Sequence, residues 1–220
     1  MPLPLDDVSE FDRIVARRCL VVDTGVRAVS HCLQAMEVPV RITAVYVTHD
    51  QSEAIMLGDQ IAVMRAGKIE QVGTFQELIR RPDNAFVAGF LGVQPMNLLD
   101  GGTVIDGVLR LDTIEIPLPD TVNAQTLPGQ ELILGVRPQA ARITQHDQAT
   151  PEGIHLSGVV ESLEPDFEHD SQLAYLRTGR LGYAASSSID TPLHVGDACQ
   201  VLFPMDHLHF FDGQTQQRLG

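Results

Sequence analysis

The clearest pattern of apolar and polar positions lies between residues 42 and 95. Apolar, β-branched runs that are typical of buried strands alternate there with segments of helical spacing. The pattern predicts strands over residues 42–47, 60–64 and 69–72, and helices over 51–57, after residue 74 and over 84–91. Such an alternation indicates an α/β layer.

Short polar signals mark where these elements begin. Asp50 follows the first strand and is suited to cap the helix after it. Thr74, with Glu77 three residues later, has the form of a capping box. Ala66-Gly67-Lys68 predicts a tight turn between two strands.

From Met96 onward the pattern changes to short apolar runs, typical of strands, that are separated by Gly, Pro and Asp. The predicted strands cover residues 103–111, 115–117, 131–136, 154–163, 173–176, 182–185 and 198–203. Regularly spaced short strands of this kind predict a small barrel or sandwich. We therefore expect an α/β part over residues 1–95 and an all-β part over residues 96–220.

Residues 1–40 have weaker periodicity. Residues 13–22 predict a short helix that runs into an apolar strand, Leu20-Val21-Val22, and residues 25–36 predict a further helix.

Charge and composition narrow the classes of function. The net charge is −14: residues 1–95 carry 9 basic and 12 acidic groups (−3), and residues 96–220 carry 6 and 17 (−11). Such a chain repels phosphate backbones, so nucleic acid is a poor partner.

Three cysteines without CxxC spacing argue against disulfides or a zinc site and predict buried free thiols. No apolar run approaches the roughly 20 residues that span a bilayer, and the first residues do not form a secretory signal, so the cytoplasm is the expected compartment.

One long block of sequence carries a resemblance. It comprises Val45-Tyr46-Val47-Thr48-His49-Asp50-Gln51-Ser52-Glu53-Ala54, Asp59-Gln60-Ile61-Ala62-Val63-Met64, Gly67-Lys68-Ile69-Glu70-Gln71-Val72-Gly73, Pro82, residues 86–92 and Met96-Asn97. This block closely resembles the ATP-binding subunits of ABC importers, in the branch that energises uptake of sugars, polyols, polyamines and ferric iron.

The same branch carries a C-terminal regulatory domain of the TOBE type with an OB-like barrel. Leu134-Gly135-Val136-Arg137-Pro138 is similar to its LGIRPE segment, and residues 195–212 are similar to its VGD…HLFD segment. The resemblance implies a fold made of the α/β remnant of a P-loop ATPase core followed by this regulatory domain.

The resemblance also implies roles for single residues. His49 would be the switch histidine, whose neutral imidazole donates a hydrogen bond to a γ-phosphate oxygen. ATP and magnesium would be the cofactors. Permease subunits or an intact ATPase subunit would be the partners, with a homodimer through the regulatory domain as a further option. The position of His49 alone suits equally well a structural histidine that ends a strand and caps the helix after it.

The phosphate grip of such an ATPase is missing from the sequence. That grip is a GxxxxGK[ST] loop whose backbone N–H groups and lysine hold the phosphates. The only lysine, Lys68, lies in the predicted turn, without an upstream glycine at that spacing. No LSGGQ-like segment is found either, because Leu156-Ser157-Gly158 falls in a predicted barrel strand. We therefore expect no ATP hydrolysis by this chain alone.

Leu20-Val21-Val22-Asp23 has the form of a Walker B strand that ends in a magnesium ligand. Thr24 follows where the family has a catalytic glutamate, and the distance from Asp23 to His49 is shorter than in the family. Asp23 is thus either a vestigial magnesium ligand or the end of an ordinary core strand. Residues 1–40 as a whole are either a divergent or a frameshifted remnant.

Two other groups of polar residues are candidates for sites. His207 and His209 have a spacing that suits metal ligands on one strand face, but no third ligand is evident, and the segment is expected to be the closing strand of the barrel. Residues 161–170 contain five carboxylates and are expected to form a solvated loop. No metal site is predicted.

The sequence as a whole favours a truncated nucleotide-binding subunit for solute import, peripheral at the inner face of the plasma membrane when it is assembled with a permease. A stand-alone ligand-binding or regulatory module of the TOBE type is one alternative. A protein that docks onto an importer or its regulator is another.

Overall fold

The computed structural model describes residues 19–23, 45–92, 94–144 and 153–220. The chain divides into two compact units, a first unit over Met1–Asp83 and a second over Asn84–Gly220. The helix predicted over residues 25–36, and the helical part of residues 13–22, lie outside the described residues. None of the helices in the described part of the chain has the length and apolar character needed to cross a bilayer.

The first unit contains a four-stranded sheet with two short helices. Its elements are β1 (Cys19–Asp23), β2 (Val45–Thr48), α1 (Gln51–Leu57), β3 (Gln60–Arg65), β4 (Lys68–Gly73) and α2 (Phe75–Arg80). The sheet order is β2-β1-β3-β4, with β1 parallel to β2 and β3, and β4 antiparallel to β3. Buried Ile61 and Val63 of β3, Ala54 of α1 and Leu78 of α2 form part of its apolar interior.

Both predicted helix starts in this unit are confirmed. The Asp50 side chain accepts hydrogen bonds from the backbone N–H groups of Ser52 and Glu53. Thr74 and Glu77 form a reciprocal capping box. These caps satisfy N–H groups that have no partner within the helix, which fixes where α1 and α2 begin.

The second unit is predominantly β, as predicted. Its elements are α3 (Ala85–Phe90), β5 (Asn97–Ile105), β6 (Val108–Leu111), β7 (Ile114–Pro117), α4 (Asp120–Asn123), β8 (Glu131–Val136), β9 (Arg142–Thr144), β10 (Gly153–Asp166), β11 (Ser171–Thr178), β12 (Leu181–Ser188), β13 (Ala198–Pro204), β14 (Leu208–Asp212) and β15 (Arg218–Leu219). They form a closed barrel in the order β10-β11-β12-β9-β13 and a six-stranded sheet in the order β15-β14-β8-β5-β6-β7.

One apolar core serves both sheets of this unit. Leu111, Ile116 and Leu134 from the six-stranded sheet belong to the same buried cluster as Val160 and Phe203 from the barrel. Helix α3 belongs to this unit, so the boundary between the two compact units falls between Asp83 and Asn84 in the sequence. The predicted division of function between residues 95 and 96 stays a prediction.

The structure corrects the prediction of one strand over residues 103–111. Asp106 and Gly107 interrupt it with φ angles of 51° and 76°, so the segment folds back as the hairpin of β5 and β6. A turn with two left-handed residues matches the twist of antiparallel strands, and the Asp-Gly pair is its ordinary sequence signal.

Two further predictions were wrong. The segment around His207 and His209 does not close the barrel: His207 lies in a 3-10 turn, and β14 pairs with β8 in the six-stranded sheet. Residues 161–170 are not a solvated loop throughout, because β10 continues to Asp166 and pairs with β11, which leaves only residues 167–170 as a turn. Cys199 is free but half-buried rather than buried, and Cys32 lies outside the described residues.

Candidate functional site

His49 lies at a tightly held corner between β2 and α1. Thr48, the last residue of β2, is 1% exposed. Its Oγ1 donates to Glu53 Oε2 over 2.7 Å and accepts from the Asp50 backbone N–H over 3.0 Å. The Tyr46 hydroxyl donates to the same Glu53 oxygen over 3.0 Å. His49, itself exposed, is therefore fixed by its neighbours on both sides.

The strand register brings His49 and Asp23 to the same edge of the sheet. Val22 of β1 lies beside Thr48 of the parallel strand β2, so the next residue of each strand is Asp23 and His49. Asp23 also lies beside Met64 of β3, which places it between two neighbouring strands. The carboxyl edge of parallel strands is where α/β proteins bind their ligands. The two predicted site residues are thus neighbours in the backbone.

Lys68 has a place that does not suit phosphate binding by a glycine-rich loop. It is exposed and opens β4 directly after Ala66 and Gly67, whose φ angles are 51° and 79°. Lys68 pairs with Arg65 across this hairpin. The predicted turn is confirmed, and Lys68 follows a strand-to-strand turn rather than opening a helix as a P-loop lysine does.

His207 and His209 do not share a strand face. His209 is half-buried in β14, where burial, followed by the charges of Arg218, Arg137 and His207, lowers its pKa to about 4. The neighbouring charges are therefore cationic. Within the described ranges, no group of three His, Cys, Asp or Glu side chains is placed to hold a metal ion.

Sequence reasoning missed a cleft of about 680 Å³ in the second unit, between the hairpin of β10 and β11 and the start of β5. Glu164, Phe167, Gln172 and Tyr175 are among the residues that line it. Because the sequence predicts a solvated loop over residues 161–170, it does not place their carboxylates opposite Gln94 and Asn97. Phe167 and Tyr175, two exposed aromatic residues of this hairpin, are the feature of the sequence that could have indicated a binding site.

Comparisons with known proteins agree with the resemblance found in the sequence. The profile of the MalK OB fold domain matches residues 95–141. The xylose/arabinose import ATP-binding protein XacK of Haloferax volcanii is 34% identical over 85% of this chain and 48% of its own length. The trehalose/maltose import ATP-binding protein MalK of Thermococcus litoralis is 33% identical over 83% of this chain and 50% of its own length.

An sn-glycerol-3-phosphate import protein, UgpC of Vibrio vulnificus, is 36% identical over 80% of this chain and 45% of its own length. The chain therefore spans about half the length of these curated relatives. Among solved structures, the molybdate-binding protein ModG covers 52% of this chain and 94% of its own, with a TM-score of 0.42 and 14% identity, which is too distant to carry an argument. The predicted resemblance to the ATP-binding subunits of ABC importers is confirmed.

Proposed function

We propose that this chain is the C-terminal part of the ATP-binding subunit of an ABC importer for a solute of the sugar or polyol class. Its first unit would supply the switch-histidine edge of the ATPase, and its second unit would be the regulatory domain. The observation that carries the proposal is the corner at His49. It stands beside Asp23 at the carboxyl edge of a parallel sheet, in a chain whose relatives are import ATP-binding subunits.

The geometry suits this role for His49. The backbone at His49 lies between a buried threonine and a capped helix, so the position from which the imidazole projects is set before any ligand binds. In the assembled ATPase it would donate a hydrogen bond to the γ-phosphate, and Asp23 would face the magnesium ion as the end of a Walker B strand.

The residues present here do not make a complete ATP site. The sequence contains neither GxxxxGK[ST] nor LSGGQ, and its only lysine follows a hairpin turn. No hydrolytic step is therefore assigned to these 220 residues acting alone. A phosphate grip would have to come from another polypeptide segment.

The proposed partners are permease subunits at the cytoplasmic face of the membrane, an intact ATP-binding subunit, or a second copy of this chain. The strongly negative charge supports protein partners over nucleic acid. The relatives are named for xylose/arabinose, trehalose/maltose and sn-glycerol-3-phosphate import, which is why the proposal stops at the solute class.

A hybrid protein tests this function. Residues 45–220 would replace the matching segment of the Thermococcus litoralis MalK protein, which leaves the relative's own N-terminal half in place. We expect the hybrid to hydrolyse Mg-ATP, His49→Ala to lower its kcat by at least about a hundredfold, as for other groups that stabilise a transition state, and the exposed His155→Ala to leave it unchanged. An active hybrid that is indifferent to His49→Ala would refute the role.

A second function is supported by a separate observation, the cleft in the second unit. A stand-alone regulatory module would bind its ligand there with no need for ATP. Calorimetry of the unmodified chain distinguishes the two functions, because heat with a small ligand supports a module while hydrolysis by the hybrid supports the ATPase part.

A further inference from the structure

The cleft of the second unit has the size of a small-molecule site. Its volume of about 680 Å³ lies within the range that ligand pockets occupy. Its walls are the hairpin of β10 and β11, the segment from Gln94 to Asn97, Pro138, and two residues of β12, Ala184 and Ser186. All of these residues belong to one compact unit.

The charges of the lining have one sign. Glu164, Asp166 and Glu168 line the cleft, and its lining among the described residues contains no lysine, arginine or histidine. Asp166 is engaged by the His169 ring over 2.9 Å and by the backbone N–H groups of Glu168 and His169, so it also shapes the turn. A ligand in this cleft therefore meets three carboxylates in the lining, one of which, Asp166, also faces the His169 ring.

A deeply buried amide adds a further acceptor. Gln172 is 8% exposed, and its Nε2 donates to the carbonyl oxygens of Ser188 (3.0 Å) and Thr191 (2.8 Å). Both amide protons are thereby used, and no described residue donates to its Oε1. Gln172 also lines the cleft, and with both amide protons used its Oε1 is the side-chain atom left to accept from a ligand.

Two aromatic rings complete the lining. Phe167 at the turn of the hairpin is 78% exposed, and Tyr175 is 40% exposed. The Tyr175 hydroxyl donates to Glu164 Oε2 over 2.9 Å, which raises the pKa of Tyr175 and keeps its ring beside the Glu164 side chain. Rings next to carboxylates attract cations through both charge and ring quadrupole.

We propose that this cleft binds a small organic cation that carries ammonium or guanidinium groups. Carboxylates and the Gln172 oxygen accept its N–H groups, and Phe167 and Tyr175 cover its charged faces. Phosphorylated solutes and oxyanions are repelled by the same carboxylates. A neutral polyol satisfies the acceptors but gains nothing from the negative charge.

Isothermal titration of the full 220-residue chain with agmatine, at low ionic strength, tests the proposal. We expect one-to-one binding that weakens as salt is added. The matched neutral and anionic probes, 1,6-hexanediol and sn-glycerol 3-phosphate, are expected to give no heat. Maltose, titrated in parallel, is expected to bind at least about tenfold more weakly than agmatine, by 1.4 kcal/mol or more.

Variants locate the site. The double change Glu164→Gln with Glu168→Gln is expected to weaken agmatine binding about tenfold, and Phe167→Ala about threefold. Glu161→Gln lies on the same hairpin outside the cleft and is the control, expected to change the affinity less than about twofold. All these side chains are exposed, and thermal unfolding of each variant checks that it folds.

Four results overturn the inference: no binding of agmatine, equal binding of maltose, binding of the phosphate, or equal weakening by Glu161→Gln. The last would mean a diffuse charge effect. The inference rests on the second proposed function, which places a ligand in this cleft, and not on the ATPase role of His49. Since the titration uses the chain without ATP, its failure leaves the ATPase role standing.

Discussion

Asn97 holds the backbone of Ala184 with both ends of its side-chain amide. Nδ2 donates to the Ala184 carbonyl and Oδ1 accepts from the Ala184 N–H, each over 2.8 Å. Asn97 begins β5 of the six-stranded sheet, and Ala184 lies in β12 of the barrel. The Asn97 side chain therefore links the two sheets of the second unit through two hydrogen bonds of the kind that paired strands make.

Asn97→Ala is expected to lower the free energy of unfolding by about 2 kcal/mol, because two partly buried hydrogen bonds of about 1 kcal/mol each are lost. Asn97→Asp keeps the acceptor but sets a carboxylate oxygen against the Ala184 carbonyl oxygen, so it should lose at least as much. Urea unfolding measures both. The exposed Asn123→Ala is the control and should change stability by less than about 0.5 kcal/mol. Equal losses at both positions would contradict the linking role.

Gly135→Ala should destabilise the second unit by about 2 kcal/mol through overpacking. A Cβ at Gly135 would lie 2.7 Å from the Met96 sulfur and 2.8 Å from the Phe211 ring. Gly182→Ala, also in a strand, has no atom within 4 Å of its added carbon and is the matched control. We expect the thermal unfolding midpoint of Gly182→Ala to lie well above that of Gly135→Ala. Similar midpoints would contradict the close packing around Gly135.

Stability should fall between pH 6.5 and pH 4 because of His209. Its folded pKa of about 4 lies below its ordinary value of 6.5, so the unfolded chain binds the proton first as the pH falls. The contribution is complete above pH 6.5 and lost by pH 4. Since the ring is not fully buried, we expect a loss of roughly 2 kcal/mol rather than the full value.

His209→Gln should remove this loss, and the exposed His155→Gln should keep it. Urea titrations at several pH values check the difference. The pKa of Asp212 is lowered to about 2, first by the Thr215 backbone N–H and then by the Gln130 side chain. Asp212 therefore titrates below pH 4 and does not contribute to the change in stability between pH 6.5 and pH 4. Parallel pH profiles of the wild-type and His209→Gln proteins would rule out the assignment.

Thr48→Val should loosen the corner that carries His49. It removes the donor to Glu53 and the acceptor for the Asp50 N–H while it keeps the buried volume. Local opening of α1 should become easier by about 1–2 kcal/mol, seen as faster hydrogen exchange at the amides of Ala54 and Gly58. Ser52→Ala, on the exposed side of α1, should leave these rates unchanged.

Local chemistry made the first unit readable from the sequence. The caps at Asp50 and Thr74 and the turn at Gly67 are set by neighbouring residues, and all three lie where the pattern predicted. The hairpin at Gly107 was also encoded locally by Asp106-Gly107, but the apolar positions on both sides of it concealed the turn.

Long-range pairing set the limits of prediction in the second unit. Nothing near Asn97 indicates that its partner is Ala184, 87 residues away. In the same way, β14 joins the six-stranded sheet because it pairs with β8, a choice that its own residues do not reveal. The cleft was missed for this reason, since Gln94 and Glu164 meet only once both sheets are assembled.

The six-stranded sheet has two short outer strands in the described part of the chain. β15 has two residues, and β7 has four and ends at Pro117, which has no N–H to donate. An incoming strand from another molecule finds few amide partners on either side, and such edges resist edge-to-edge aggregation. This sheet of the second unit should therefore not associate edge to edge between molecules.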